Sequence, residues 1–138
     1  MSAEKVLADT GPLVALFDAD DRSHSACAGA LKALRGPLFT VWPAVTEAMY
    51  LLSFSRLAQD ALLRWLESGA LAALELGAED MPRVRELLNK YRDLPMDFTD
   101  AAVVCAAERE GIRRIFTVDA RDFRIYRPRH ARSFDLLP

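Results

Sequence analysis

The chain has 138 residues, which fits a single domain spanning 1–138 with a sizeable core. Hydrophobic residues make up 51% and charged residues 28%, which excludes an intrinsically disordered chain. The net charge of −2 gives no bulk argument for nucleic-acid binding, and no apolar run is long enough to span a bilayer.

Strand-like and helix-like segments alternate along the chain. Val6, Leu7 and Ala8 form the first strand candidate. Thr10-Gly11-Pro12 then offers a cap residue and a helix-starting proline, with a short helix over 13–17. A polar loop follows over 18–22. Ser23 is placed to cap a helix reaching about residue 34, closed by Gly36-Pro37. Residues 38–41 are the second strand candidate, and Pro43 opens a helix with the apolar stripe Val45, Ala48, Met49 and Leu52. A helix over 57–67 ends at Gly69, and 71–76 reads as a third strand. Residues 79–91 form an amphipathic helix on Val84, Leu87, Leu88 and Tyr91. Residues 98–110 are apolar nearly all round, the mark of a buried helix, and Gly111 ends it. Residues 115–118 are the fourth strand, and 133–136 offer an edge strand. Such βα alternation predicts a parallel sheet covered on both faces.

Cys27 and Cys105 lie in Ala-rich helical stretches without metal-ligand spacing and read as small buried hydrophobes of a reducing compartment. The N-terminus lacks the apolar core of a signal peptide, so a cytoplasmic location is expected. From residue 113 onward, seven arginines face three acids, an excess of four positive charges. That strip is either a solvated, salt-bridged face or a surface for phosphates. Leu51, Leu52, Phe54, Leu57, Leu62, Leu63, Trp65 and Leu66 exceed what two adjoining helices need for one core. They predict either a dense core or a surface for self-association or an amphipathic partner. His24 and His130 read as surface residues.

The chemistry concentrates in four acids. Asp9 and Asp119 each follow a short apolar run, so both stand at carboxyl ends of strands, where open α/β sheets bind ligands. Taken alone, Asp9 reads first as a turn residue capping the helix after the strand. Its Asp-Thr-Gly triplet also matches aspartic proteases, but those need two such aspartates and this chain has one. Glu47 lies off the centre of its helix's apolar stripe, where a solvent-facing glutamate is the plain alternative. Asp97 and Asp100 have the spacing of a capping box, with Asp97 as N-cap. Because that helix looks buried, its first turn abuts the sheet top, where Asp100 could join Asp9. Asp122 is a second ligand or a turn residue, and Thr117 could hydrogen-bond a carboxylate or a metal-bound water. Carboxylates crowded together repel unless protonated, paired or bridged by a cation. With no His or Cys cluster beside them, an all-oxygen set favours Mg²⁺ or Mn²⁺.

The motifs Val-Leu-Ala-Asp-Thr-Gly-Pro, Pro-Ala-Val-Thr-Glu, Met-Asp-Phe-Thr-Asp-Ala-Ala and Arg-Ile-Phe-Thr-Val-Asp-Ala-Arg-Asp-Phe occur in this order along the whole chain. Together they resemble the PIN-domain family, in particular the VapC-like ribonuclease toxins of toxin–antitoxin pairs; the last two blocks are the more specific. The resemblance implies a three-layer α/β/α sandwich with a central parallel sheet. It also implies a divalent metal site of Asp9, Glu47, Asp100 and Asp119, with Asp97 and Asp122 secondary, and Mg²⁺- or Mn²⁺-dependent cleavage of RNA. Asp9 and Asp100 would then hold a first ion, and Asp119 and Glu47 waters or a second ion. A homodimer and a small antitoxin partner are further implications. Rival readings are a housekeeping nuclease, another metal-dependent phosphoesterase, and a non-catalytic RNA- or protein-binding module. A receiver-like domain fits less well, since no lysine follows Lys90.

Overall fold

The computed structural model describes residues 4–138. Its centre is a five-stranded sheet of β1 (Val6–Ala8), β2 (Leu38–Val41), β3 (Ala72–Leu74), β4 (Arg114–Phe116) and β5 (Asp135–Leu137). The strand order is β3-β2-β1-β4-β5 and every pairing is parallel. Val6 pairs with both Leu38 and Arg114, so β1 is the middle strand. All three of its residues are fully buried, as expected for a strand covered on both faces.

Helices α1 (Thr10–Phe17), α2 (His24–Ala33), α3 (Trp42–Leu51), α4 (Arg56–Ser68), α5 (Met81–Lys90), α6 (Phe98–Glu110) and α7 (Ala120–Phe123) flank the sheet, giving a three-layer α/β/α sandwich. Helix α1 packs on α2, α3 and α4, and α6 packs on α5, α3 and β2. The run Ala101–Ala107 of α6 is buried all round. Its alanines let neighbouring backbones approach closely on several sides. Gly69 (φ 85°) and Gly111 (φ 67°) end α4 and α6 in the left-handed conformation that closes helices with least steric cost.

Several boundaries differ from the sequence expectation. Helix α1 begins at Thr10 rather than 13, because a proline in the first turn lacks only an amide the helix would not use. Ser23 sits at the N-cap of α2, but its hydroxyl caps nothing. Strand β3 stops at Leu74 and β4 at Phe116, short of the apolar runs that suggested them. Val118, read as buried strand, is 44% exposed. A 3₁₀ turn (Ala78–Asp80) precedes α5, and the edge strand is shifted to Asp135–Leu137.

Ion pairs tie the outer helices together. Arg83 grips Glu108 through two bonds of 2.9 and 2.8 Å, Asp80 meets Arg109 at 2.7 Å, and Glu86 meets Arg129 at 2.9 Å. Arg114 lies 3.4 Å from Asp135. The arginine-rich segment is therefore in part a salt-bridged face, while Arg113, Arg121, Arg124 and Arg132 are exposed. Cys27 and Cys105 are buried and free. Of the apolar surplus, Leu52 and Leu62 enter the core, whereas Leu51, Phe54, Leu57 and Leu63 are exposed beside Tyr50. Among the described residues no helix is long and apolar enough to cross a membrane.

Candidate active site

The strand order reverses between β1 and β4, and the carboxyl ends of those strands frame a crevice. Asp9 leaves β1 there. Its amide donates to the Phe116 carbonyl at 2.9 Å, so the backbone of β4 fixes where its side chain starts. The carboxylate is 5% exposed. It does not close the first turn of α1, which leaves it free for another role. The Thr117 hydroxyl donates to Asp9 Oδ2 at 3.3 Å and accepts from the Asp119 amide at 2.9 Å. One threonine thus joins the two strand-end aspartates. Asp119 itself is exposed and is the N-cap residue of α7, with Asp122 half-buried in the following turn.

The capping box of α6 is complete. Asp97 Oδ1 accepts the Asp100 amide at 2.9 Å, and Asp100 Oδ2 accepts the Asp97 amide at 3.2 Å. Asp97 is exposed and serves as the cap. Asp100 is half-buried, receives the Tyr126 hydroxyl at 3.5 Å, and lies close enough to Asp9 for their charges to repel. Glu47 departs from a solvent-facing glutamate. It is half-buried, with Oε2 accepting the Thr10 hydroxyl at 2.9 Å and Oε1 accepting the Thr99 hydroxyl at 2.5 Å. The first turns of α1 and α6 therefore both hold the glutamate of α3.

The electrostatics of the crevice are one-signed. Burial pushes the Asp9 carboxyl up to about 6; the Thr10 amide and the Thr117 hydroxyl oppose this, and the charges of Asp119 and Asp97 add to it. Burial likewise pushes Asp100 up to about 7, with the charges of Asp9 and Asp97 adding to it. Burial and the Asp100 charge raise the Tyr126 phenol, which keeps it a donor. Among the described residues neither Asp9 nor Asp100 makes an ion pair. A buried and a half-buried carboxylate of depressed acidity, with hydroxyls around them and no ion-pair partner, form a donor set suited to a hard divalent cation. Among the described residues no three acidic, imidazole or thiol side chains stand together as a group that could hold a metal ion, so Asp9, Glu47, Asp100 and Asp119 are not gathered into one ligand cluster here. Mg²⁺ takes one or two protein carboxylates and completes its shell with water and substrate oxygens.

Thr10, Thr99 and Tyr126 are the polar partners that the sequence reading missed. A signal was present: Thr10 adjoins Asp9, Thr99 adjoins Asp100, and Thr117 lies two positions before Asp119. The histidines take no part. His24 Nδ1 lies 2.6 Å from the Ala15 carbonyl and is half-buried rather than superficial, while exposed His130 meets the Ile112 carbonyl at 2.7 Å.

Comparison with known proteins adds three findings. The PIN domain family matches residues 6–128. Ribonuclease VapC26 of Mycobacterium tuberculosis is 32% identical over 136 residues, covering 96% of this chain and all of that protein. Two solved structures share the fold. VapC20 of Mycobacterium tuberculosis, described as a sarcin-ricin loop cleaving toxin, has a TM-score of 0.77 at 20% identity, over 85% of this chain and 93% of its own. VapBC2 of Rickettsia felis, bound to a DNA fragment from its promoter, has a TM-score of 0.70 at 16% identity, over 97% and 99%.

Proposed function

The chain belongs to the PIN-domain family, and from that premise we propose that it is a metal-dependent endoribonuclease cleaving single-stranded RNA, the toxin of a toxin–antitoxin pair. The observation that carries the reading is the pairing of Asp9 and Asp100. They lie 91 positions apart in sequence, yet the Asp9 charge reaches Asp100 and raises its carboxyl, and among the described residues neither has an ion-pair partner. Structural stability alone gives no reason to bury two such groups side by side.

Asp9 and Asp100 would hold Mg²⁺ or Mn²⁺. When bound, such an ion lowers the pKa of an attacking water and neutralises charge on the phosphodiester. The chain's own groups supply order. Thr117 fixes the rotamer of Asp9, and Tyr126 and the Asp97 amide fix that of Asp100. Thr10 and Thr99 aim Glu47, whose remaining lone pairs are open to a water. Asp119, exposed at the mouth, would hold a water or a second ion. Asp97 acts as a helix cap and Asp122 as a flanking acid. No nucleophilic side chain is required.

The exposed cluster of Tyr50, Leu51, Phe54, Leu57 and Leu63 supports a homodimer and an antitoxin that covers apolar surface. A cytoplasmic location agrees with both an RNA substrate and two free cysteines. The test is cleavage of a mixed single-stranded RNA pool with Mg²⁺, Mn²⁺ or EDTA. The expected result is cleavage with either metal, none in EDTA, and near-complete loss in Asp9→Asn, Asp100→Asn and Asp119→Asn with folding intact. Undiminished cutting in EDTA, or in all three variants, overturns the mechanism.

A further inference from the structure

An apolar groove adjoins the carboxylates on the β2 side. Its walls are Trp42 and Pro43 at the start of α3, Phe98 at the start of α6, and Leu76 and Met81 beyond β3. Its volume is about 560 Å³, within the roughly 300–1,000 Å³ of small-molecule sites. Glu47 and Thr99 line it too, so the groove and the catalytic crevice are one continuous surface. Trp42 is 51% exposed and Phe98 46%. The core aromatics pack on one another, Phe123 edge to face with Tyr126 and Phe134, and Tyr91 tilted against Tyr126. Among the described residues, Trp42 and Phe98 have no such ring partner.

Resting on the ribonuclease reading, we infer that this groove holds an unpaired nucleobase of the substrate, stacked on Trp42 and Phe98, next to the phosphodiester cut at the carboxylates. Three features select that occupant. The groove contains no Lys or Arg, so it offers no cation to a phosphate. Its one charged wall residue is Glu47, which favours a neutral or donor-bearing flat group over an acidic one. Thr99, which precedes Asp100, and Glu47 form the side of the groove nearest the acids, so a strand whose phosphodiester lies over Asp9 and Asp100 can lay a neighbouring base there. Unpaired bases find affinity by stacking on aromatic faces, largely regardless of sequence. Trp42 and Phe98 are therefore positioning residues: they set which phosphate lies over the acids without touching the reacting atoms.

The test measures steady-state cleavage, by wild type and variants with Mn²⁺, of a short oligoribonucleotide containing the mapped cut site. Trp42→Ala and Phe98→Ala should each raise KM about 5- to 150-fold, the range expected for loss of one base stack, with kcat little changed. Trp42→Phe should recover most of the loss. Trp42→Leu, which keeps apolar bulk without a flat face, should not. A substrate with an abasic ribose beside the cut should raise the wild-type KM by a similar factor and should add little in Trp42→Ala. A merely structural role predicts lowered melting temperatures and no dependence on the abasic substitution. Unchanged KM in both alanine variants, or a full abasic penalty retained in Trp42→Ala, overturns the inference and leaves the ribonuclease reading standing. Alanine variants that cleave normally but release a co-purifying protein assign the groove to a protein partner instead. A wild-type protein that cleaves no RNA overturns both.

Discussion

Replacing Asp9 with Asn should stabilise the metal-free protein, and the gain should grow with pH. The Asp9 carboxyl is held at about 6 by burial, against 3.8 in an unfolded chain. The unfolded chain therefore releases this proton first. Between pH 3.8 and about 6 the folded state binds the extra proton, so stability falls as pH rises through that window. Above about 6 both states are ionised and the penalty is complete. At 1.36 kcal/mol per pH unit, a separation of about 2 corresponds to about 3 kcal/mol at pH 7.5, about half of that at pH 5, and about a fifth at pH 4. Asparagine keeps the shape and an acceptor for the Thr117 hydroxyl but carries no charge. For a chain of this length about 3 kcal/mol is a melting shift of roughly 10 °C. Urea denaturation in EDTA at pH 4, 5 and 7.5 measures it. Added Mn²⁺ should then close most of this gap, since a hundredfold excess over the dissociation constant adds about 2.7 kcal/mol to the wild type and far less to the variant. An asparagine variant that is less stable at pH 7.5 without metal, or whose advantage does not change with pH, refutes the account of a strained carboxylate.

Thr99→Val and Thr10→Val each remove a hydroxyl from Glu47; single-turnover cleavage should slow about tenfold, the scale of a hydrogen bond to a charged group, while the Mn²⁺ melting response persists. Gly11→Ala would set a Cβ 2.2 Å from Val118 Cγ2, so it should cost about 1–3 kcal/mol in denaturation and displace the neighbouring Asp119; Val118→Ala in the same chain should restore cleavage. Burial pushes the Glu108 carboxyl up, but Arg83 and the Arg129 amide together hold it below its ordinary value. The pair therefore stabilises above the ordinary glutamate range, and that contribution is lost on acidification. Glu108→Gln should cost about 3 kcal/mol in urea at pH 7 and much less at pH 3, with cleavage unaffected at permissive temperature.

What was legible in the sequence was whatever depends on neighbours in the chain. Helix α6 was delimited at Phe98 and Glu110, because a capping pair opens it, Gly111 closes it, and the run Ala101–Ala107 between them is unbroken by a charged residue. The Asp97–Asp100 capping box was likewise read from a three-residue spacing. Strand existence was legible from short apolar runs, but strand length was not. Leu76 and Val118 are as apolar as their neighbours, yet pairing ends where the partner strands give way to helices, β2 to α3 at Trp42 and β1 to α1 at Thr10, and that is set elsewhere in the chain. The acids were legible as candidates by their places after strands. Their supports were not, because Thr10 reaches Glu47 across 37 positions and Thr99 across 52. The Trp42–Phe98 groove was invisible for the same reason: each aromatic alone reads as ordinary helix-start packing.

The central position of β1 also dictates when this crevice can exist during synthesis. β1 pairs with β2 on one edge and β4 on the other, and 72 residues separate Val41 from Arg114. At roughly 5–20 residues per second, the ribosome needs about 5–20 s to make the stretch between Asp9 and β4. Until then one edge of β1 lacks its partner, the Asp9 amide lacks the Phe116 carbonyl, and Thr117 has not reached Asp9. Every pairing in the sheet is parallel, so no local hairpin can assemble the centre early. A nascent chain therefore passes its translating ribosome as an incomplete site, and cleavage competence appears only once the second half of the sheet has docked.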